Sequence, residues 1–101
     1  MEKNLRTELA VNNVSIELNP FVEEFLTRTV IGAVSSLKGA EYTQNLELHL
    51  EQGDVKLIVN GNELHLTPFA KDIITNTIIG LVSSLKGVDK IDSLKINVKA
   101  E

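Results

Sequence analysis

The chain contains one pattern of residues twice. When it is shifted by 48 positions, residues 11–53 align with residues 59–101 without a gap, and 16 of the 43 aligned pairs are identical. A repeat that cannot bury its own apolar face packs against its neighbour, and 101 residues suit one domain. We therefore predict a single domain, residues 1–101, formed by a tandem duplication with repeats at about 5–52 and 53–100.

Each repeat begins with a predicted β-hairpin. In the second repeat, apolar and polar residues alternate on both sides of Asn60-Gly61. This dipeptide favours a type I′ turn, because both central residues of that turn need positive φ. A two-residue loop also fixes the register, and it places Leu57 opposite Leu64. The first repeat has the same alternation around residues 12–13, so we predict the same hairpin there.

A helix and a third strand complete each repeat. Asn19 and Thr67 are residue types that cap helix N-termini, and each is followed directly by proline, which suits the first helical position. Gly39 and Gly87 are typical of a helix end that needs a left-handed residue. Alternating apolar residues at 46–50 and at 94–98 then predict the third strand.

The connection between the repeats determines the predicted topology. Only Gln52-Gly53 separates the third strand from the fourth, so we predict a hairpin that places Leu48 opposite Leu57. Strand six, the counterpart of strand three, should then pair with strand one. The prediction is an α+β two-layer sandwich: one six-stranded antiparallel sheet in the order 2-1-6-3-4-5, with both helices on one face. The alternative order, 2-1-3-6-4-5, needs a longer crossing than two residues allow.

The predicted helices are apolar around more than half of their circumference. A helix between a sheet and water needs an apolar stripe of only about 100° or somewhat more. The excess predicts contact with the sister helix, a second chain or a ligand. As the residues of an interface we expect Ile31, Val34, Ile79 and Val82.

A glycine lies in the middle of each predicted helix, at Gly32 and Gly80. Glycine in a helix interior costs about 1 kcal/mol relative to alanine. Its presence in both repeats predicts a close approach of another segment at these positions. Tight packing of helix on sheet, or of helix on helix, is the explanation that we favour over a ligand slot.

The opposite face of the sheet provides a second candidate site. The inferred registers place His49 opposite Lys56, and Lys56 opposite His65, so that a His-Lys-His row would cross the open face. Such a row could bind a small anionic ligand or support acid–base chemistry. Antiparallel sheets commonly leave one face in water, and we favour that plainer explanation. The lysine between the histidines repels a cation, so we predict no metal site and no cofactor.

Composition excludes several classes of function. The chain has no cysteine, which excludes disulfides, thiolate nucleophiles and cysteine-ligated metals.

The duplicated architecture resembles the saddle of TATA-box-binding proteins, but a DNA saddle needs a basic face with apolar wedges. With a net charge of −4, we expect no binding to nucleic acid or to membranes. The N-terminus lacks the apolar run that a signal peptide needs, so we expect a cytoplasmic protein. The predicted open face carries Glu8, Glu17, Glu47, Glu51, Asp54 and Glu63 against Arg6, Lys56, Lys95 and Lys99.

These observations favour a non-enzymatic module that binds protein through its helix layer. The expected partner is a second copy, in a homodimer, or another protein. The alternative hypothesis is a small-molecule-binding protein or an enzyme that uses the open face around His49, Lys56 and His65.

Overall fold

The repeated strand–strand–helix–strand pattern is present in a computed structural model of the chain, which describes residues 5–37 and 43–100. Each element of the first repeat has a counterpart in the second, and the two helices are offset by the 48 residues that relate the repeats. The elements are β1 (Leu5–Val11), β2 (Val14–Ile16), α1 (Pro20–Ser35), β3 (Asn45–Glu51), β4 (Asp54–Val59), β5 (Asn62–Glu63), α2 (Pro68–Ser83) and β6 (Ser93–Ala100).

The six strands form one antiparallel sheet in the order β2-β1-β6-β3-β4-β5, which confirms the predicted topology. β3 and β4 pair directly, with Leu48 opposite Leu57 as predicted. The Leu64 amide donates to the Leu57 carbonyl at 2.9 Å, so the hairpin register is also confirmed. The alternative order is wrong, because β6 lies between β1 and β3 and leaves β4 beside β3.

The hairpin turns have the positive φ angles that the sequence predicts. Asn60 and Gly61 have φ of 52° and 85°, and Asn12 and Asn13 have φ of 51° and 67°. Asparagine enters this left-handed region more readily than most residues because its short polar side chain bonds locally. The turn residues therefore select the two-residue connections that set the register.

One asparagine in each turn also fastens the opposite repeat. The Asn12 side-chain oxygen accepts a bond of 2.8 Å from the Asp92 amide, just before β6. The Asn60 side-chain oxygen accepts a bond of 2.8 Å from the Gln44 amide, just before β3. Each repeat's hairpin turn thus fixes the start of the other repeat's third strand.

The helices begin where the sequence predicts. The Asn19 side chain accepts a hydrogen bond of 2.8 Å from the Val22 amide, and the Thr67 hydroxyl accepts one of 3.2 Å from the Ala70 amide. Both residues have extended backbone, as an N-cap requires. The predicted capping is therefore confirmed at both helices.

The second helix ends before the predicted glycine. Its last residue is Ser83, although Gly87 does adopt the left-handed conformation, with φ of 84°. The Ser84 hydroxyl donates to the Gly80 carbonyl at 3.0 Å, and such back-bonding competes with the helical hydrogen bonds. The Leu85 amide bonds to the Val82 carbonyl, three residues back, which closes a tightened last turn. The corresponding prediction at Gly39 lies outside the described residues.

Both helices contribute to one hydrophobic core with the sheet. Every second residue of the central strands points into this core, and the open face carries the intervening polar residues. Each helix adds three fully or almost fully buried aliphatic side chains. These core residues of the helices are Leu26, Val30, Val34, Ile74, Ile78 and Val82.

Candidate interaction surface

Large apolar side chains project from the side of the helices that faces away from the sheet. Phe21 and Phe69 are 73% and 74% exposed, and Phe25 and Ile73 are 53% and 51% exposed. Phe21 lies nine residues before the buried Val30, which is about 180° around a helix at roughly 100° per residue. The four exposed residues occupy equivalent positions in the two repeats. We call this surface, with Phe21, Phe25, Phe69 and Ile73 as its largest side chains, the outer helix face.

A groove between the helices opens onto the outer helix face. Its volume is about 430 Å³, and the residues that line it come from the first half of α1 and the last part of α2 with the turn after it. The start of α1 therefore lies beside the end of α2, so the two helices run antiparallel. The lining residues are Phe21, Val22, Phe25, Thr29, Thr77, Leu81, Ser84 and Leu85.

The groove does not continue down to the sheet. A separate cavity of about 10 Å³ lies where Ala33 and Thr77 of the two helices meet Leu48 of β3. Such a space holds about one water molecule. Among the described residues, none that lines the groove belongs to a strand, so the groove is a feature of the helix surface.

Two of the four predicted interface residues belong to the core. Val34 is 1% exposed and Val82 is 0% exposed, because both lie on the side of their helix that packs on the sheet. Ile31 and Ile79 are half-buried and pack against the same core. The prediction that Val34 and Val82 face outward is therefore wrong, and the phenylalanines occupy the surface that it assigned to them.

The two mid-helix glycines also lie on the outer helix face. A Cβ added at Gly32 or Gly80 would meet no heavy atom of the described residues within 4 Å. The predicted close approach within the chain is therefore wrong. Gly32 lies eleven residues after Phe21, about 20° away around the helix axis, so both point in nearly the same direction.

The predicted histidine row is only partly present on the open face. His49 lies opposite Lys56 on β4 and opposite Lys95 on β6, as the strand registers require. His65 is exposed and lies two residues beyond the end of β5, outside the β4–β5 register of the described strands. His49 Nε2 is 3.1 Å from a Glu47 carboxylate oxygen. The row across the sheet is therefore Lys95–His49–Lys56, and acidic residues lie in the adjacent rows.

A polar cluster between β1 and α1 was not predicted from the sequence. A Glu23 carboxylate oxygen accepts a bond of 3.0 Å from the Thr7 amide, and the Thr27 hydroxyl donates to the Glu23 carbonyl at 2.6 Å. The Thr7 and Thr27 hydroxyls also bond to each other. In the second repeat, valine and lysine replace Thr7 and Glu23, so the pattern does not recur. All these groups are partnered, and the cluster anchors α1 to the sheet.

Comparison of the chain with protein-family models, curated proteins and solved structures finds no match. Within the described residues, no helix is long and apolar enough to cross a membrane. The same residues contain no group of three or more histidine, aspartate or glutamate side chains placed to hold a metal ion. The functional argument therefore depends on the surface of the chain itself.

Proposed function

We propose that this chain is a non-enzymatic interaction module that binds a protein partner through the outer helix face. One observation carries the proposal: the large apolar side chains at the start of both helices are more than half exposed. Scattered exposed apolar residues are ordinary, but a contiguous patch on a soluble domain usually marks an interaction site. Phe21 and Phe25 form such a contiguous pair, with ring centroids 5.9 Å apart.

The energetics favour a partner for this face. A phenylalanine that is three-quarters exposed presents on the order of 100 Å² of apolar surface. Burial of that surface contributes about 2 kcal/mol. Phe21 and Phe69 together contribute roughly 4 kcal/mol, and the half-exposed Phe25 and Ile73 add about 1 kcal/mol each. The association cost against which this counts is at least about 4 kcal/mol. The outer helix face can therefore support a reversible complex of moderate affinity.

The groove has the chemistry of a docking site. None of the described residues that line it carries an ionisable side chain, so they offer no general acid or base. The Thr29 hydroxyl donates to the Phe25 carbonyl at 2.8 Å, and the Ser84 hydroxyl donates to the Gly80 carbonyl. A hydroxyl becomes a nucleophile only beside a base, which this groove does not provide.

The rival hypothesis places a small-molecule site or an active site on the open face. In its favour, His49 is half-buried and lies between two lysines, Lys56 and Lys95. Against it, the Glu47 carboxylate lies 3.1 Å from the His49 imidazole, and its negative charge offsets the positive charge of the neighbouring lysines. His65, the third residue of the hypothesis, lies beyond the paired residues of β5. The open face is therefore the weaker candidate.

Photocrosslinking tests the proposal. A photoreactive phenylalanine analogue replaces Phe25 in one version of the chain and Val14 in another, each in cells that make the protein naturally. Val14 is a matched control, because it is 62% exposed but lies on the edge strand β2. We expect a discrete protein adduct from position 25 and none from position 14.

A second substitution makes the crosslinking result specific. Phe69→Glu, introduced into the chain that carries the probe at position 25, places a charge on the same face without touching the probe. We expect the adduct to disappear, because burial of an unpaired carboxylate at an interface is strongly unfavourable. Equal adducts from positions 14 and 25, or none from either, would overturn the proposed function.

A further inference from the structure

We propose that the partner of the outer helix face is a second copy of the same chain, bound face to face around a two-fold axis. This inference rests on the proposed function, since it requires the face to be a docking surface. Three properties of the face carry it: the arrangement of its large and small residues, its charge and its size.

The large and small residues of the face alternate at its four corners. The N-terminal halves of the helices carry the exposed Phe21 and Phe69, whereas the C-terminal halves carry the exposed Gly32 and Gly80. Because α1 and α2 run antiparallel, the two phenylalanine corners are diagonally opposite, and so are the two glycine corners. The surface therefore has two raised corners and two low ones.

Rotation about a two-fold axis can place the raised corners of one copy over the low corners of another. When the axis lies in the plane of the helix layer, parallel or perpendicular to the helices, each phenylalanine corner of one copy lies over a glycine corner of the other. An isologous interface needs this kind of self-complementary patch. The open space above Gly32 and Gly80 accepts a phenyl ring that an ordinary side chain would exclude. The groove beside Leu81, of about 430 Å³, gives that ring an apolar wall.

The charge of the face suits a second copy better than a strongly charged partner. The outward charges of the two helices are those of Glu24, Arg28 and Asp72, and Glu24 and Arg28 form an ion pair of 3.0 Å. Glu23 and Lys71 bond instead to groups of the sheet. The face thus carries little net charge, although the whole chain carries −4. Two copies meet there with little repulsion, whereas a strongly charged partner would find few charges to pair with.

The size of the face sets the expected affinity. Each helix has 16 residues, so it is about 24 Å long, and two adjacent helices are roughly 20 Å wide. The footprint is on the order of 500 Å² per copy, or about 1,000 Å² in total, which is near the lower limit for a specific interface. We therefore expect a reversible dimer with a dissociation constant in the micromolar range.

Sedimentation equilibrium tests the inference over protein concentrations from about 1 µM to about 500 µM, which span a micromolar dissociation constant. We expect the mass of the unmodified chain to rise from 11.1 kDa to twice that value. Phe69→Glu should raise the dissociation constant at least about tenfold, so that its rise in mass moves to correspondingly higher concentration, since the charge enters the interface twice. Val14→Glu should behave like the parent, and circular dichroism should show that both variants are folded.

A glycine variant tests the arrangement of the corners independently. Gly80→Leu has room in the isolated chain, so the variant should fold, but its side chain fills a low corner. We expect its dissociation constant to rise at least about tenfold. Dimerisation equal to that of the parent would overturn the packing of phenylalanine over glycine.

The two proposals fail in different ways. If the parent remains monomeric at every concentration while the probe at position 25 crosslinks to a different protein, the second copy is overturned and the docking surface stands. If the parent remains monomeric and position 25 gives no adduct, both proposals are overturned. A dimer that Phe69→Glu leaves intact would overturn the assignment of the interface to this face.

Discussion

The hairpin turns of both repeats begin with an asparagine, and this residue has two roles in each turn. Asn12 and Asn60 adopt the left-handed conformation, and each also accepts hydrogen bonds from the chain that enters a strand of the other repeat. Few residues meet both requirements, because the side chain must be short and must offer an oxygen atom. The sequence indicated the turn. The hydrogen bonds to the other repeat could not be predicted in the same way, because they depend on which strand lies beside the turn.

We expect Asn12→Ala to destabilise the chain more than Asn13→Ala. Both substitutions place alanine at positive φ, but only Asn12 accepts side-chain hydrogen bonds, from the Asp92 and Ser93 amides at 2.8 and 3.0 Å. The Asn12 side chain also donates to the Lys90 carbonyl at 2.7 Å. Loss of the three bonds costs about 2 to 4 kcal/mol beyond the control. Chemical denaturation of the two variants measures the difference. Equal free energies of unfolding would show that the turn conformation alone matters.

We expect His49→Ala to leave stability unchanged within about 0.5 kcal/mol, as for most surface substitutions. The physical reason is that the imidazole lies on the solvated face and its partner, Glu47, is also exposed. Thermal unfolding measures this effect. An NMR titration of the unmodified chain with inorganic phosphate checks the rival hypothesis directly. Saturable shifts at His49, Lys56 and Lys95 that disappear in His49→Ala would contradict our expectation.

At the scale of elements, the helices show where packing overrides sequence pattern. The apolar stripe of each helix is wider than the core needs, and the sequence does not say which part of it points outward. In the folded chain, the side of α1 that carries Val30 and Val34 packs on the sheet, and Phe21 and Phe25 therefore face solvent. Smaller branched side chains fit between helix and sheet, and the phenyl rings remain outside.

We expect Gly80→Ala to stabilise the monomer by up to about 1 kcal/mol, because alanine has the higher helix propensity. A Cβ at this position meets no described atom within 4 Å. Gly61→Ala is the matched control, since its Cβ is equally unobstructed but its φ of 85° is left-handed. That variant should lose about 1 kcal/mol or more. Thermal unfolding at low protein concentration measures both, and a destabilised Gly80→Ala would show that the helix is crowded there.

Most of the fold was predictable because local signals agree with one another. The turns at residues 12–13, 52–53 and 60–61 each fix the register of one hairpin, and the correspondence of β6 to β3 in the repeat predicts the place of β6 beside β1. The candidate site was less predictable, because exposure depends on how the helices rotate on the sheet. The end of β5 was also missed: the strand ends at Glu63, and although the Leu64 amide still bonds to β4, His65 lies beyond the paired residues. Alternation of apolar residues alone did not reveal where the strand ends.

At the scale of the whole molecule, the repeats are joined by pairing across them. β6 of the second repeat lies between β1 and β3 of the first, and Leu5 is opposite Ala100. The central strands of the sheet therefore come from both repeats. Neither repeat contains a continuous sheet of its own, and we expect neither to fold as a monomer.

We expect a circular permutant that begins at Gly53 to fold cooperatively. Leu5 and Ala100 are paired neighbours, so a short linker between the original ends needs little reach, and the new ends fall in an exposed turn. A permutant opened between Leu48 and His49, with the same linker, is the control. It cuts β3, which pairs with both β6 and β4, and should lose cooperative unfolding. Circular dichroism during heating distinguishes them, and identical behaviour would contradict the prediction.

The reciprocal fastening of the repeats by Asn12 and Asn60 has a consequence for assembly. Each repeat offers a turn that grips its neighbour and a third strand that is gripped in return. A chain of half this length would carry both complementary parts and could close the same six-stranded sheet with an identical copy. The covalent link at Gln52-Gly53 then acts as a tether, which replaces dependence on protein concentration with a fixed local concentration. Two tethered halves need not stay identical, and the Thr7–Glu23–Thr27 cluster is a contact that the first repeat makes without a counterpart of the same residues in the second.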